Sequence, residues 1–250
     1  MTQHPDRRPR LSVVQLLPNI LTLAALCAGL TAIRLAGVEE FERAAALIIL
    51  AAVLDGLDGR LARRLRSESA MGAELDSLCD FVNFGVAPVL VLHFWAYGGA
   101  GGLGWIAALV YATACALRLA RFNISSRDAL ASAMPKTSFT GVPSPAGAML
   151  ALLPIFVANL IPGAVLPGPA SAFWIVLVAA LMVSRLPTPA IRPVRVRPDQ
   201  ARLLLIGAVA VGAALLTYPW LTLVLLDLAY LLLLLAGWIR LRRRQSRKDA

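Results

Sequence analysis

The chain has 250 residues, of which 59% are hydrophobic and 15% charged, and its formal net charge is +10. A soluble domain of this length needs more polar residues to cover its surface, so the composition excludes an ordinary soluble protein and indicates a chain surrounded largely by lipid. The positive charge does not predict nucleic-acid binding, because the basic residues form short clusters between apolar runs and do not line one groove-facing surface.

Eight apolar segments follow one another along the chain, and a helix of about 20 such residues crosses a bilayer core about 30 Å thick. They lie at residues 17–36, 44–64, 73–97, 102–123, 144–162, 169–186, 202–218 and 220–239. The shortest of them can be tilted, broken or re-entrant. The sequence therefore predicts an all-α fold, a polytopic transmembrane helical bundle of about eight spans.

The positions of the basic residues predict how these spans are oriented. With the N-terminus in the cytoplasm, 22 of the 24 lysines and arginines fall on the cytoplasmic side, and only Arg34 and Arg43 fall outside. The positive-inside rule favours this arrangement, with an even number of spans and both termini cytoplasmic. We therefore expect a multi-pass protein of the inner (cytoplasmic) membrane. The arginine-rich start also resembles a cleaved signal peptide, but its apolar run is long enough to span and seven more follow.

We expect a single integral membrane domain over residues 1–250, without a soluble domain or an internal repeat. Its catalytic core lies at about 16–160, additional spans at about 169–239 and a basic cytoplasmic tail at 240–250. Four prolines and five charged residues between Pro187 and Arg202 predict a stiff cytoplasmic linker.

Four aspartates stand out near the facing ends of the second and third predicted spans. Asp55 and Asp58 are three residues apart and Asp76 and Asp80 four apart, so each pair lies on one face of its helix. Because a short polar turn joins the two antiparallel spans, Asp55 comes opposite Asp80 and Asp58 comes opposite Asp76. The sequence predicts one site, whose deeper layer, Asp55 with Asp80, lies roughly 13 Å from the cytoplasmic helix ends.

Carboxylates this close together cannot all stay ionised in a membrane interior unless cations neutralise them. Two divalent ions would balance four negative charges, and oxygen ligands select Mg²⁺, Mn²⁺ or Ca²⁺. Paired ions about 3.5–4 Å apart are the usual arrangement for displacement at phosphorus. The alternative is a structural network of salt bridges to nearby arginines, which the matched depth of four acids and the neighbouring glycines disfavour.

The spacing of these residues resembles a family signature. The CDP-alcohol phosphotransferase family carries the pattern D-x-x-D-G-x-x-A-R, eight residues, then G-x-x-x-D-x-x-x-D, and this chain fills every fixed position. The matching residues are Asp55, Asp58, Gly59, Ala62, Arg63, Gly72, Asp76 and Asp80. Pro18 and Asn19 are also similar to the entry segment of that family, where the asparagine lies near the nucleotide.

The resemblance implies a site that holds the diphosphate of a CDP-linked donor on two divalent ions, Mg²⁺ or Mn²⁺. An alcohol attacks the lipid-side phosphorus and CMP is released. Asp55, Asp58 and Asp76 are implied to be metal ligands, and Asp80 a further ligand or the general base. The residues implied to line the nucleotide and its phosphates are Asn19, Gly59, Ala62, Arg63 and Gly72. The resemblance also implies a homodimer.

Three stretches outside the signature, at residues 77–88, 118–123 and 136–146, resemble the phosphatidylserine synthase branch of the family. They imply CDP-diacylglycerol as donor and L-serine as acceptor. The carboxylate and ammonium groups of serine call for a basic fork with nearby acceptors. The candidate acceptor-binding residues are Arg118, Arg121, Lys136 and Ser138. Anchoring of a helix end, or binding of an anionic headgroup of a membrane lipid, explains the basic ones nearly as well.

Three other functions fit parts of the pattern. A member of the same family could use glycerol 3-phosphate or an inositol phosphate, although these acceptors require a denser basic pocket. A metal or phosphate transporter would place its acids near the bilayer midplane, whereas these acids lie near one face. A lipid-binding scaffold without catalysis would release no CMP.

Overall fold

The computed structural model describes residues 13–67, 69–132, 139–184, 187–188 and 198–246, and the described chain is almost entirely helical. The helices are α1 (Val13–Ala36), α2 (Phe41–Leu65), α3 (Ala70–Asp80), α4 (Ala87–Tyr97), α5 (Gly102–Ser132), α6 (Ser144–Leu160), α7 (Gly168–Val183), α8 (Pro198–Thr217) and α9 (Pro219–Ser246). A π-helical turn, Phe81–Val86, joins α3 to α4. Two short strands, β1 (Phe139–Thr140) and β2 (Pro187–Thr188), pair antiparallel, a detail that the prediction of an all-α fold did not contain.

Each of the eight predicted segments coincides with a helix, since α3, the π turn and α4 form one continuous rod. Four helical stretches are long and apolar enough to cross a membrane: Leu16–Ala36, Ala70–Tyr97, Gly102–Ser125 and Pro219–Ile239. The apolar parts of α6, α7 and α8 are shorter, and α2 carries seven charged residues. The all-helical membrane architecture is therefore confirmed.

Two boundaries differ from the prediction. The linker predicted at Pro187–Arg202 is shorter, because α8 begins at Pro198, and a proline fits the first turn of a helix since its missing N–H would be unpaired there anyway. Residues 189–197 lie outside the described part of the chain. The tail predicted at 240–250 begins as helix, because α9 continues to Ser246.

The π turn lies directly after Asp80 and has a local cause. Pro88 has no backbone N–H, so it cannot donate to the carbonyl group of Phe84, four residues earlier, as a regular helix requires. The hydroxyl group of Tyr111 in α5 donates to that carbonyl oxygen instead, at 3.0 Å. Tyr111 and Phe84 are both fully buried. The turn is thus tied to the centre of the bundle.

A second proline is accommodated in the same way inside α6. Pro154 leaves the carbonyl group of Leu150 without its helical donor. The indole nitrogen of Trp174 in α7 donates to this oxygen at 2.7 Å. The bond replaces the lost helical bond and fastens α7 to α6.

The packed core lies among α2, α4, α5, α6 and α7. Its largest fully buried side chains include Tyr111, Phe84 and Phe156. The helix α8 is peripheral by comparison, since it packs chiefly on α9 and leaves most of its apolar side chains exposed, with Leu216 at 88%. The helix α2 also packs against α1, which contacts α3, and the aspartates lie on α2 and α3.

Candidate active site

The turn between α2 and α3 brings the signature helices side by side. Arg66 ends α2 in a left-handed conformation with φ of 51°. Ser69 then caps α3, since its hydroxyl oxygen accepts a hydrogen bond from the backbone N–H of Gly72 at 3.0 Å. The helix α1 packs against both α2 and α3. Side chains from three helices therefore meet beneath one short turn.

Three of the four aspartates form a compact cluster. One carboxylate oxygen from each of Asp55, Asp76 and Asp80 lies within 4.8 Å of the other two. Asp55 and Asp80 thus approach each other across the two helices, as the predicted pairing of these two positions requires. Two carboxyl groups this close cannot both be ionised without a cation beside them. Their oxygen donors suit a hard divalent cation.

The fourth acid, Asp58, lies beside this cluster and is held by another helix. It is 3% exposed, and Thr22 of α1 donates a hydrogen bond to its Oδ2 atom at 2.5 Å. Asp58 and Asp76 both line the same cavity, as their predicted pairing suggests. The four acids therefore form two pairs. Asp55 and Asp80 lie farther from the turn between α2 and α3, and Asp58 and Asp76 line the cavity.

That cavity has a volume of about 400 Å³ and lies between α1, α2 and α3. Its lining residues are Pro18, Asn19, Thr22, Asp58, Gly59, Ala62, Arg63, Ser67, Ser69, Gly72, Ala73 and Asp76. All five residues that the sequence assigns to the nucleotide and its phosphates are among them. The structure thus brings together positions that are up to 53 residues apart in the sequence, from Asn19 to Gly72.

The glycines on the two signature helices differ in how much space surrounds them. A Cβ atom at Gly72 would lie 3.1 Å from the side-chain oxygen of Asn19, which is tighter than ordinary contact. At Gly59 the nearest atom would be a guanidinium nitrogen of Arg63, at 3.7 Å. At Gly56 no atom would lie within 4 Å. Gly72 is therefore the glycine whose replacement would disturb the cavity wall.

The alternative of a structural salt-bridge network is not supported. Within the described side chains, no salt bridge joins any of the four aspartates to an arginine, and the one between Arg43 and Glu40 lies at the opposite end of α2. Arg63 is exposed and lies at the edge of the cavity. The acids are thus concentrated without a salt-bridge partner among the described side chains, so their charges are left for an added cation to neutralise.

The candidate acceptor-binding residues separate in the structure. Arg118 of α5 donates a hydrogen bond to the hydroxyl group of Ser144 and lies within electrostatic range of Asp80. Arg121 donates to the carbonyl oxygen of Val183 at 3.1 Å, a bond that joins α5 to α7. Lys136 and Ser138 lie outside the described side chains.

Sequence reasoning missed three polar residues of the cavity wall: Thr22, Ser67 and Ser69. Thr22 stands three residues after Asn19, a spacing that puts both on one helix face and could have indicated it. The hydroxyl oxygen of Ser67 is buried and has no hydrogen-bond partner among the described residues. These three hydroxyl groups are uncharged hydrogen-bonding groups. They add to the charged side chains of the cavity wall, which are Asp58, Arg63 and Asp76.

Comparison with known proteins gives a consistent picture. Residues 15–186 match the family described as CDP-alcohol phosphatidyltransferase. A CDP-diacylglycerol--serine O-phosphatidyltransferase of Mycobacterium tuberculosis (strain ATCC 25618 / H37Rv) is 40% identical over 220 residues, covering 87% of this chain and 76% of that protein. Proteins of the same name are 36% identical in Helicobacter pylori (strain J99 / ATCC 700824), over 72% of this chain and 74% of that one, and 34% identical in Bacillus subtilis (strain 168), over 57% and 77%.

Proposed function

This chain belongs to the CDP-alcohol phosphatidyltransferase family, and from that membership we propose that it transfers the phosphatidyl group of CDP-diacylglycerol to the hydroxyl group of L-serine. The products are phosphatidylserine and CMP. The names of the relatives support serine as the acceptor, since each is called a CDP-diacylglycerol--serine O-phosphatidyltransferase.

One observation carries the proposal. The cluster of three carboxylates and the cavity of about 400 Å³ share Asp76, so a ligand in the cavity reaches the acids directly. A cavity of this size suits a nucleotide-sized group. A donor lying in it would place its diphosphate beside the carboxylates and its acyl chains toward the surrounding lipid.

The cavity wall would bind and orient the donor. Arg63 offers a planar set of N–H donors that suits phosphate oxygens. Gly59 and Gly72 have no side chain and Ala62 has only a methyl group, so the backbone of the cavity wall can approach the nucleotide closely. The side-chain amide of Asn19 would hydrogen-bond the nucleotide from the opposite helix.

The four aspartates would hold two divalent ions, Mg²⁺ or Mn²⁺, because their hard oxygen donors and four negative charges fit such a pair. When bound, the ions would withdraw electron density from the phosphate oxygens and offset the charge of the departing CMP. Asp55, Asp58 and Asp76 would be ligands, and Asp80 a further ligand or the base.

The transfer itself needs one proton acceptor. The serine hydroxyl oxygen forms a bond to the lipid-side phosphorus, while the bond from that phosphorus to the bridging oxygen breaks and this oxygen leaves with CMP. Asp80 would accept the hydroxyl proton, since it is the deeper acid of α3 and its Oδ1 atom is buried with no hydrogen-bond partner among the described residues. Arg118, near Asp80, would attract the carboxylate of serine, and Arg121, Lys136 and Ser138 remain further candidates for acceptor contact.

The location of the site follows from the charge pattern. We infer eight spans with both termini in the cytoplasm, because 22 of the 24 basic residues then lie inside. The site would face the cytoplasm of a bacterial cell at its inner membrane, and the whole chain would be one membrane domain that pairs as a homodimer. In a variant without Cys27, Cys79 and Cys115, single cysteines are placed at the exposed positions Arg64 and Val165 and labelled from either side of the membrane. The two positions should react from opposite sides.

The activity is tested by measuring CMP release from purified protein with CDP-diacylglycerol and Mn²⁺ or Mg²⁺. L-Serine, glycerol 3-phosphate and inositol phosphate are compared as acceptors. We expect release with L-serine and its loss in Asp80→Asn. Release with another acceptor only would keep the family chemistry and overturn the choice of serine.

A further inference from the structure

We propose that Tyr230 of α9 is a specificity-determining residue for the acceptor, because its hydroxyl group and the guanidinium group of Arg118 together bind the carboxylate of serine. This inference rests on the proposed function and deepens it. It assigns a role to the last helix, which lies beyond the residues 15–186 that match the family.

The packing of three helices brings Tyr230 toward Arg118. The Arg118 side chain reaches from α5 to Ser144, the first residue of α6, and α6 packs against α9. The side chain of Tyr230 is partly buried, and its hydroxyl group and the Arg118 guanidinium lie within electrostatic range of each other. Arg118 is in turn within range of Asp80. Tyr230 therefore lies on the same side of the bundle as the carboxylate cluster.

Three buried polar atoms around this position have no hydrogen-bond partner among the described residues: Asp80 Oδ1, Arg118 Nε and Tyr230 OH. Nearly all buried polar atoms in native proteins are paired, so three from different helices in one region indicate a polar ligand. Elsewhere in α5, the buried Tyr111 hydroxyl does have a partner. The other buried side-chain atoms without a partner among the described residues belong to Ser67 in the cavity wall and to Asn83, His93 and Asp227, so these three are distinguished by their position around Arg118.

The chemical character of the three atoms matches serine. Asp80 Oδ1 accepts a hydrogen bond, which suits the reacting hydroxyl group. Arg118 Nε and the Tyr230 hydroxyl both donate, which suits the two oxygens of a carboxylate, and one of the two donors carries the compensating positive charge. A phosphate dianion would need a second positive charge where Tyr230 offers a neutral donor, so this pair favours an amino acid over a phosphorylated alcohol.

The test is a steady-state comparison of the parent protein with Tyr230→Phe, which removes the hydroxyl oxygen and keeps the ring. We expect the KM for L-serine to rise about tenfold, as when one hydrogen bond to a charged group is lost, with the KM for CDP-diacylglycerol unchanged. Tyr218→Phe is the matched control, because Tyr218 lies immediately before α9 and is 65% exposed, and both KM values should stay at the parental level. Equal thermal unfolding temperatures show that the variants fold alike.

The outcomes separate this inference from the proposed function. An unchanged KM for L-serine in Tyr230→Phe, or an equal rise for both substrates, would refute the role of Tyr230 and leave the proposed function intact. A parent protein that releases no CMP with L-serine would refute the proposed function and, with it, this inference. A selective rise for L-serine that Tyr218→Phe does not share supports both.

Discussion

In the apolar core, the two carbonyl groups freed by Pro88 and Pro154 each receive a donor from a neighbouring helix, the first from Tyr111 at 3.0 Å and the second from Trp174 at 2.7 Å. Each bond also fastens two helices together. The side chains that provide them are built into the packing, so we expect their contribution to be to stability.

Around the aspartates the pattern is reversed. Ser67 Oγ, Asp80 Oδ1 and Arg118 Nε are buried and have no hydrogen-bond partner within the described residues, and the acids lie close together although their charges repel. Such an arrangement lowers the free energy of unfolding of the ligand-free protein, and ligand binding raises it again. Replacing a core donor should therefore weaken the fold, whereas replacing a site residue should weaken activity and spare the fold.

The largest effect is expected at Asp80. Asp80→Asn keeps the size of the side chain but removes the proton acceptor and a negative ligand, so CMP release should fall by at least about a thousandfold. The thermal unfolding temperature should stay the same or rise, because repulsion with Asp55 is relieved. CMP release and thermal unfolding of the purified variant, measured side by side, check both parts. A variant that unfolds earlier would place Asp80 with the structural residues.

Thr22→Val should have the next largest effect. Thr22 donates to Asp58 at 2.5 Å, and loss of a hydrogen bond that orients a metal ligand lowers metal affinity by about 10–100-fold. The Mn²⁺ concentration for half-maximal activity should rise accordingly, while activity at saturating Mn²⁺ recovers. Thr31→Val is the control, because Thr31 is on the same helix and its hydroxyl bonds only the carbonyl group of Cys27. An unchanged Mn²⁺ requirement in Thr22→Val would remove Thr22 from the site.

A smaller effect is expected from filling the cavity wall. In Gly72→Ala the added Cβ atom would lie 3.1 Å from the oxygen of Asn19, so Asn19 must shift and the KM for CDP-diacylglycerol should rise about threefold to tenfold. Gly56→Ala, where nothing lies within 4 Å of the added atom, is the control and should leave this KM unchanged. Equal KM values for the two variants would show that Gly72 does not shape the donor site.

The smallest effect on activity is expected in the core. Trp174→Phe leaves the Leu150 carbonyl oxygen without its donor, so the free energy of unfolding should fall by about 1–3 kcal/mol. The KM values should not change, since Trp174 is not among the residues that line the cavity. Trp105→Phe, at a residue that is 48% exposed, serves as the control. A change in KM without a loss of stability would contradict the separation of core and site.

Much of the site was readable from sequence because its residues follow helical spacing. The intervals between Asp55 and Asp58 and between Asp76 and Asp80 fix which acids share a face, and the short turn fixes which acids oppose each other. The positions of Asn19 and Arg63 at the cavity were expected from family resemblance, and the structure brings both to it.

Other features could not be read from sequence, because they depend on contacts between distant segments. Thr22 is one of a few polar residues in a mostly apolar helix, and only the packing of α1 on α2 shows that it bonds Asp58. Nothing local pairs Trp174 with Leu150 or turns Tyr230 toward Arg118. The π turn is a similar case, since Pro88 indicates an irregular helix but not the donor that replaces its missing bond.

Direct Mn²⁺ binding tests, without relying on turnover, whether the aspartates form a divalent metal site. Purified protein with CDP-diacylglycerol is titrated with Mn²⁺ and followed by electron paramagnetic resonance. We expect two bound ions per chain with coupled spins, and loss of that signal in the double variant Asp55→Asn/Asp76→Asn. A parent protein that binds no Mn²⁺, or a double variant that binds it as the parent does, would contradict the account.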